Sequence, residues 1–324
     1  MKIGYFLSCE EYGPAELIYQ AKAAEAAGFE SLWISDHFHP WTDAQGNSPF
    51  VWSVIGAISQ VTSLPITTAV TCPTIRIHPA IIAQAAATSA LLTEGKFILG
   101  LGSGEALNEH ITGSRWPDTK VRLEMLEESI EVMRELWTGE FVDHHGPHYT
   151  VENARLYTLP DAPPPVYVSG FGPRASRLAG RVADGFVTVA PDEDSIKVFR
   201  DAGGEGKPVH GGLKACWGPD KSACVSIARE SWPNESLEGE MVQTLSSPKH
   251  FEQAGSLVTD EMTAESVACG PDLDTHIAAF KPFADAGFDV MHVQQIGARH
   301  QECDIDGFFE FYRDTVLPRV RELS

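Results

Sequence analysis

Long apolar runs are missing from this sequence. No stretch of roughly 18 apolar residues, the least that spans a bilayer, occurs anywhere, so no membrane-crossing protein is expected. Basic residues are scarce: 24 Lys and Arg stand against 45 Asp and Glu, a formal charge of −21. Gripping a nucleic-acid backbone needs clustered cations, so nucleic acid is not an expected partner. Cysteines are few and dispersed. The six (Cys9, Cys72, Cys216, Cys224, Cys269 and Cys303) contain no Cys-x-x-Cys pair, which argues against a disulfide framework and a structural zinc site. A leader is lacking too. Met1-Lys-Ile-Gly-Tyr-Phe-Leu reads directly as a strand, without the basic-then-apolar pattern of a signal peptide, so a cytoplasmic location is expected.

What the chain does have is regular alternation of strand and helix. Lys2–Leu7 reads as a strand; Pro14 opens a helix that stops at Gly28. Residues 31–35, 65–70 and 96–101 read as the next strands, with helices at 50–61 and 79–92 between them. From 120 to 137 the apolar Leu123, Leu126, Ile130, Met133 and Trp137 keep a helical period. Strands at 166–169, 185–190, 210–216 and 289–293 follow, alternating with helices at 174–182, 194–201, 221–229, 272–286 and 306–323. Residues 138–164 read as a hairpin and a proline-rich loop, and 231–260 as an insertion of weak periodicity. No Pro/Gly/Ser linker divides the chain. The expected fold class is therefore α/β: one domain over 1–324, a single (β/α)8 TIM barrel with insertions near 103–120, 138–164 and 231–260.

Such barrels build their sites at the carboxyl ends of the strands, and four strand ends here carry suitable residues. The second empties into Asp36, His37 and Trp41. An imidazole there can take a hydroxyl proton near neutral pH, and a neighbouring carboxylate can orient it or bind a ligand. His37 and His39 have no third ligand at useful spacing, so no metal is expected. The fourth strand runs into Gly102-Ser103-Gly104-Glu105-Ala106-Leu107-Asn108, where glycines admit a ligand to the backbone and Glu105 is placed for proton donation. This is not the dinucleotide-binding glycine fingerprint. Ser169-Gly170-Phe171-Gly172-Pro173 precedes a helix carrying Arg174 and Arg177; it fits a phosphate-holding turn or an ordinary tight βα turn. Ala69-Val70-Thr71-Cys72-Pro73 is a strand end and a proline turn, with Cys72 read as a buried, inert thiol.

These segments together, with Ile3-Gly-Tyr-Phe and Glu10, resemble the luciferase-like superfamily over essentially the whole chain, in its coenzyme F420-dependent oxidoreductase branch. The resemblance implies F420, a deazaflavin hydride carrier, as cofactor, with FMN the alternative. It implies a small-molecule alcohol or carbonyl substrate and a homodimer. Asp36 would bind the deazaflavin ring, His37 take the substrate hydroxyl proton, and Trp41 with Glu10 contact the substrate. Glu105 would protonate or polarise the reduced ring. A non-proline cis peptide at Ala69–Val70 would form a bulge behind the ring, beside Cys72. Ser103, Gly104 and Asn108, with Ser169, Gly170, Phe171 and Gly172, would hold the rest of the cofactor. One departure bears on substrate. Where sugar-phosphate-oxidising members use two lysines and an arginine, this chain has Asp192, a residue near Val242, and Ala264, so an uncharged substrate is expected. An FMN-dependent monooxygenase and a non-catalytic flavin-binding barrel are the competing readings.

Overall fold

Alternating strands and helices close on themselves in the computed structural model, which describes residues 1–237 and 239–323. Glu238, inside the expected insertion, and Ser324 lie outside the described residues. The barrel strands are β1 (Lys2–Leu7), β2 (Leu32–Ile34), β3 (Ile66–Thr68), β4 (Phe97–Leu101), β5 (Val166–Ser169), β6 (Gly185–Val187), β7 (Val209–Cys216) and β8 (Val290–Gln295). All pair in parallel in the order β7-β8-β1-β2-β3-β4-β5-β6, and β6 pairs back to β7 to close the ring. This is the expected TIM barrel.

The helices form where the sequence supplies their ends. Pro79 sits in the first turn of the helix Pro79–Leu92, behind the His78 cap. Asp118 accepts the Val121 N–H at the start of Thr119–Leu136. Gly28, at φ 89°, takes the left-handed turn that ends Pro14–Ala27. Their buried faces pack on the outside of the barrel around Ile3, Leu7, Ile34, Ile66, Leu99 and Val168. Inside the barrel, Trp33, Tyr167 and Val187 form an apolar plug against which Phe6, Ala69, Val70 and Ile98 pack. That plug is the floor on which any ligand at the mouth must rest.

Several boundaries differ from the sequence expectation. Strands β2, β3 and β6 are three residues long, because the chain leaves the sheet early to turn into the mouth. The β3 exit is the tightest. A Cβ on Gly100 would lie 1.9 Å from the Thr68 carbonyl oxygen, so only glycine lets β4 pass. The pair Ala268–Cys269 adds a short strand beside the end of β7, too brief to carry a periodic signal. The hairpin appears as expected, Val142–His145 against Thr150–Ala154. The insertion contains a turn at Pro233–Ser236 and short helices Met241–Thr244, Pro248–Gly255 and Asp260–Ser266. Among the described residues no helix is long and apolar enough to cross a membrane.

Candidate active site

His37 is the centre of the mouth. Its Nε2 lies 3.3 Å from Glu10 Oε1, and both side chains are nearly closed to solvent, at 10% and 4% exposure. Glu10 is fixed from behind: its Oε2 accepts hydrogen bonds from Ser8 (2.8 Å) and Ser35 (2.6 Å). On the other side of the ring, Nδ1 faces the His39 carbonyl and the Asn108 amide nitrogen, each at 3.1 Å. Asn108 cannot turn its amide round, since its Oδ1 already accepts the backbone N–H groups of Phe38 and His39. The Trp41 ring leans on His37 at 4.9 Å and meets Phe251 of the insertion edge-on at 5.1 Å. Residues from β1, β2 and β4 ends thus converge on one imidazole.

Beneath this lies a buried ionic triad. Arg76 donates to Asp36 Oδ1 at 2.8 Å, and its Nε lies 3.6 Å from Glu109 Oε1. Thr71 donates to Asp36 Oδ2 at 2.7 Å. Glu109 Oε2 accepts the backbone N–H groups of Arg76 (2.7 Å) and Ile75 (3.1 Å). Burial raises the Glu109 carboxyl above its ordinary value, while the Arg76 N–H and guanidinium oppose the rise. Both Asp36 oxygens therefore already have protein partners, and what it can offer a ligand is a remaining lone pair on each.

The expected cis bond is present. Ala69–Val70 is a cis peptide bond. Val70 lies directly on β4, where a Cβ on Gly102 would meet its Cγ2 at 2.6 Å. Cys72 is buried, and burial followed by the nearby Glu105 and Glu109 charges raises its thiol well above the usual range, so it stays neutral. Half-buried Ser103 and buried Gly104 lead to half-buried Glu105, whose carboxylate has no hydrogen-bond partner among the described residues. Across the mouth, Ser169 and Gly172 are half-buried, Gly170 is buried, and Phe171 is 59% exposed. Gly172 opens the helix Pro173–Val182 without a side-chain cap, leaving its first N–H groups free for another acceptor.

The insertion packs beside this mouth. Gln45 donates to the Ser231 carbonyl (2.9 Å), Arg122 to Gln243 (2.8 Å), and the Asp43 N–H to Glu252 (3.1 Å). Near the end of β7, Lys214 lies 4.7 Å from the Trp232 ring centre and 2.5 Å from Glu235. Glu11 is buried under the same segment. Its oxygens accept the Trp232 indole N–H (2.9 Å) and the Gly297 N–H (2.6 Å). Arg76, Glu11, Lys214 and Phe251 were not singled out from sequence. Each acts through a partner far away in the chain, although Glu11 directly follows Glu10 and Arg76 lies just beyond the Ala69–Pro73 segment.

The chain belongs to the luciferase-like family: the model described as luciferase-like monooxygenase matches residues 1–290. Within that family it is similar to the F420-dependent glucose-6-phosphate dehydrogenases of Segniliparus rotundus (38% identity, covering 100% of this chain and 99% of the relative) and Mycobacterium avium (33%, with the same coverage). Among solved structures it is similar to an F420-dependent secondary alcohol dehydrogenase in complex with an F420-acetone adduct. That match has 32% identity and a TM-score of 0.89, and covers 99% of each chain.

Glu11 makes a pH prediction. Burial pushes its carboxyl from 4.5 up to about 7, against the opposing pull of the Trp232 and Gly297 N–H groups and Arg299. The folded protein therefore holds this proton more tightly than the unfolded chain. Its contribution to stability is greatest below about 4.5 and declines as pH rises through about 7, by about 3 kcal/mol for full titration. Denaturant unfolding of wild type and Glu11→Gln at pH 5 and pH 8 should show wild type losing stability relative to the variant as pH rises. Parallel pH profiles for the two proteins would contradict this.

Proposed function

We propose that this protein is a coenzyme F420-dependent dehydrogenase or reductase acting on a CH–OH or C=O group, and that its substrate is an uncharged alcohol or carbonyl compound. The observation that carries the reading is His37, clamped between Glu10 and Asn108 and leaning on Trp41 at the barrel mouth. The residues suit the cofactor. Ala69, Val70, Ile98 and Phe6 give an apolar floor for a flat ring system. The uncapped start of Pro173–Val182, with exposed Arg174, suits an anionic tail. When bound, F420 supplies the carbon that accepts or returns the hydride.

The chain's own groups manage the proton. His37 is the base that would take the hydroxyl proton as hydride leaves the carbinol carbon; which ring nitrogen holds its lone pair is set by its tautomer, Nδ1 facing both the His39 carbonyl and the Asn108 amide nitrogen. Glu10, 3.3 Å away and anchored by two serines, then stabilises the imidazolium. Asn108 fixes the 37–39 backbone and so the ring's position. Trp41 and Phe251 form an apolar edge that keeps water from the reacting centre. Glu105, whose carboxylate has no hydrogen-bond partner among the described residues, would be free to serve the cofactor ring as a proton donor. Reduction of a carbonyl runs the same proton path backwards.

Substrate charge is read from what replaces the sugar-phosphate grip. Asp192, which the resemblance aligns with a cation of the sugar-phosphate-oxidising members, caps the helix Glu193–Phe199 by accepting the Asp194 N–H. Val242 and Ala264 lie in the short helices of the insertion and carry no charge. Lys214, the cation near the end of β7, is paired with Glu235. Like charges in contact cost several kcal/mol.

Two measurements test the reading. Secondary alcohols and ketones assayed with F420 or its reduced form should turn over, with kcat/KM for glucose 6-phosphate at least about a hundredfold lower. Robust F420 reduction by glucose 6-phosphate at micromolar KM would contradict the substrate class. On a productive substrate, His37→Ala should lower kcat by about 10²–10⁴ while F420 affinity stays nearly unchanged. Wild-type turnover in that variant would remove His37 from the proton path.

A further inference from the structure

Dispersed spacing suggested that the cysteines hold no metal, yet the fold gathers three of them. Cys216 ends β7, Cys224 lies in the first turn of the helix Lys221–Ser231, and Cys303 precedes the last helical segment. Their sulfur atoms all lie within 4.8 Å of one another, and all three residues are buried. The Cys216 and Cys303 sulfurs are 3.4 Å apart. Sequence spacing reads only ligands close in the chain, whereas 87 residues separate Cys216 from Cys303.

We propose that Cys216, Cys224 and Cys303 form a thiolate site for zinc(II) or a similar thiophilic divalent ion, outside the hydride-transfer centre. Geometry is the first support. Two Zn–S bonds of about 2.3 Å at a tetrahedral angle put sulfurs about 3.8 Å apart, inside the range this trio spans. Number is the second, since a disulfide would use two sulfurs and leave the third as a spectator, whereas an ion uses all three. The third is the bare backbone packed around them. A Cβ on Gly218 would fall 2.8 Å from the Cys224 sulfur, and one on Gly297 would fall 3.4 Å and 3.7 Å from those of Cys216 and Cys303. Cys269, the strand partner of Cys216, is a further thiol in the same buried cluster.

Binding displaces three thiol protons to solvent and leaves the oxidation state of sulfur unchanged. Its effect would be mechanical. The ion would tie the end of β7, the helix that leads into the insertion, and the loop before the last helix. The cluster those three share includes Trp232, which bonds Glu11, and Trp41 packs on it. The site would therefore brace the substrate side of the mouth.

The test uses the full-length protein, reduced and freed of metal with a chelator, then titrated anaerobically with cobalt(II) and zinc(II). We expect one ion per chain, an intense thiolate-to-cobalt charge-transfer band, and a zinc-induced rise in Tm of about 2 °C or more. Cys224→Ser and Cys303→Ser should each weaken binding at least about tenfold. If those variants do not fold, X-ray absorption at the zinc edge of the wild type decides: bound zinc should show three sulfur neighbours at about 2.3 Å. No charge-transfer band, a band unchanged in both serine variants, or a zinc ion without sulfur neighbours would overturn the proposal. So would a stoichiometric Cys216–Cys303 disulfide in the isolated protein with no ion taken up after reduction.

Discussion

The Arg76 guanidinium, buried between Asp36 and Glu109, is the interaction on which the mouth of the barrel depends. Those three residues come from the loops after β2, β3 and β4, so one cation joins three consecutive strand ends. Burying such charges is expensive unless each is paired, and deleting one partner of a buried pair typically costs about 3–5 kcal/mol. Thr71 also donates to Asp36, and the Ile75 and Arg76 N–H groups bond one Glu109 oxygen; Arg76 Nε and the other Glu109 oxygen face each other at 3.6 Å, without a hydrogen bond. A loop that moved would strand a charge in an apolar setting, which holds each loop to one position.

The geometry proposed for catalysis follows from that lock. Asp36 and Glu109 immediately neighbour His37 and Asn108, so fixing the first pair fixes the second. His37 then meets Glu10 from β1, whose two serine donors make the carboxylate a fixed charge rather than a swinging arm. Catalysis by a positioned base depends on this kind of preorganisation more than on the intrinsic reactivity of the imidazole. The insertion packs against these loops through Phe251 on Trp41 and the Trp232–Glu11 bond, and its Gln243 bonds Arg122.

Much of this was legible in the residues. Strand and helix alternation gave the barrel, because parallel strands buried on both faces leave short apolar runs bounded by turns. The glycines after β4 and β5 and the Asp36-His37 pair announced the mouth, since strand ends in a barrel point to one face. The cis bond at Ala69–Val70 was legible only through family resemblance; nothing in the dipeptide itself distinguishes it from a trans bond. Arg76 and Glu11 were not legible, because a buried ion pair is a tertiary fact with no period or spacing. Neither were the short helices of the insertion, each too brief to show a hydrophobic stripe, nor the meeting of Cys216 with Cys303.

The central claim is that this constellation is built around a deazaflavin. The most direct measurement is a pair of equilibrium titrations of the purified protein with F420 and with FMN, followed by fluorescence. The account predicts that F420 binds at least about tenfold more tightly, a difference of about 1.4 kcal/mol or more. Equal or tighter binding of FMN would contradict it.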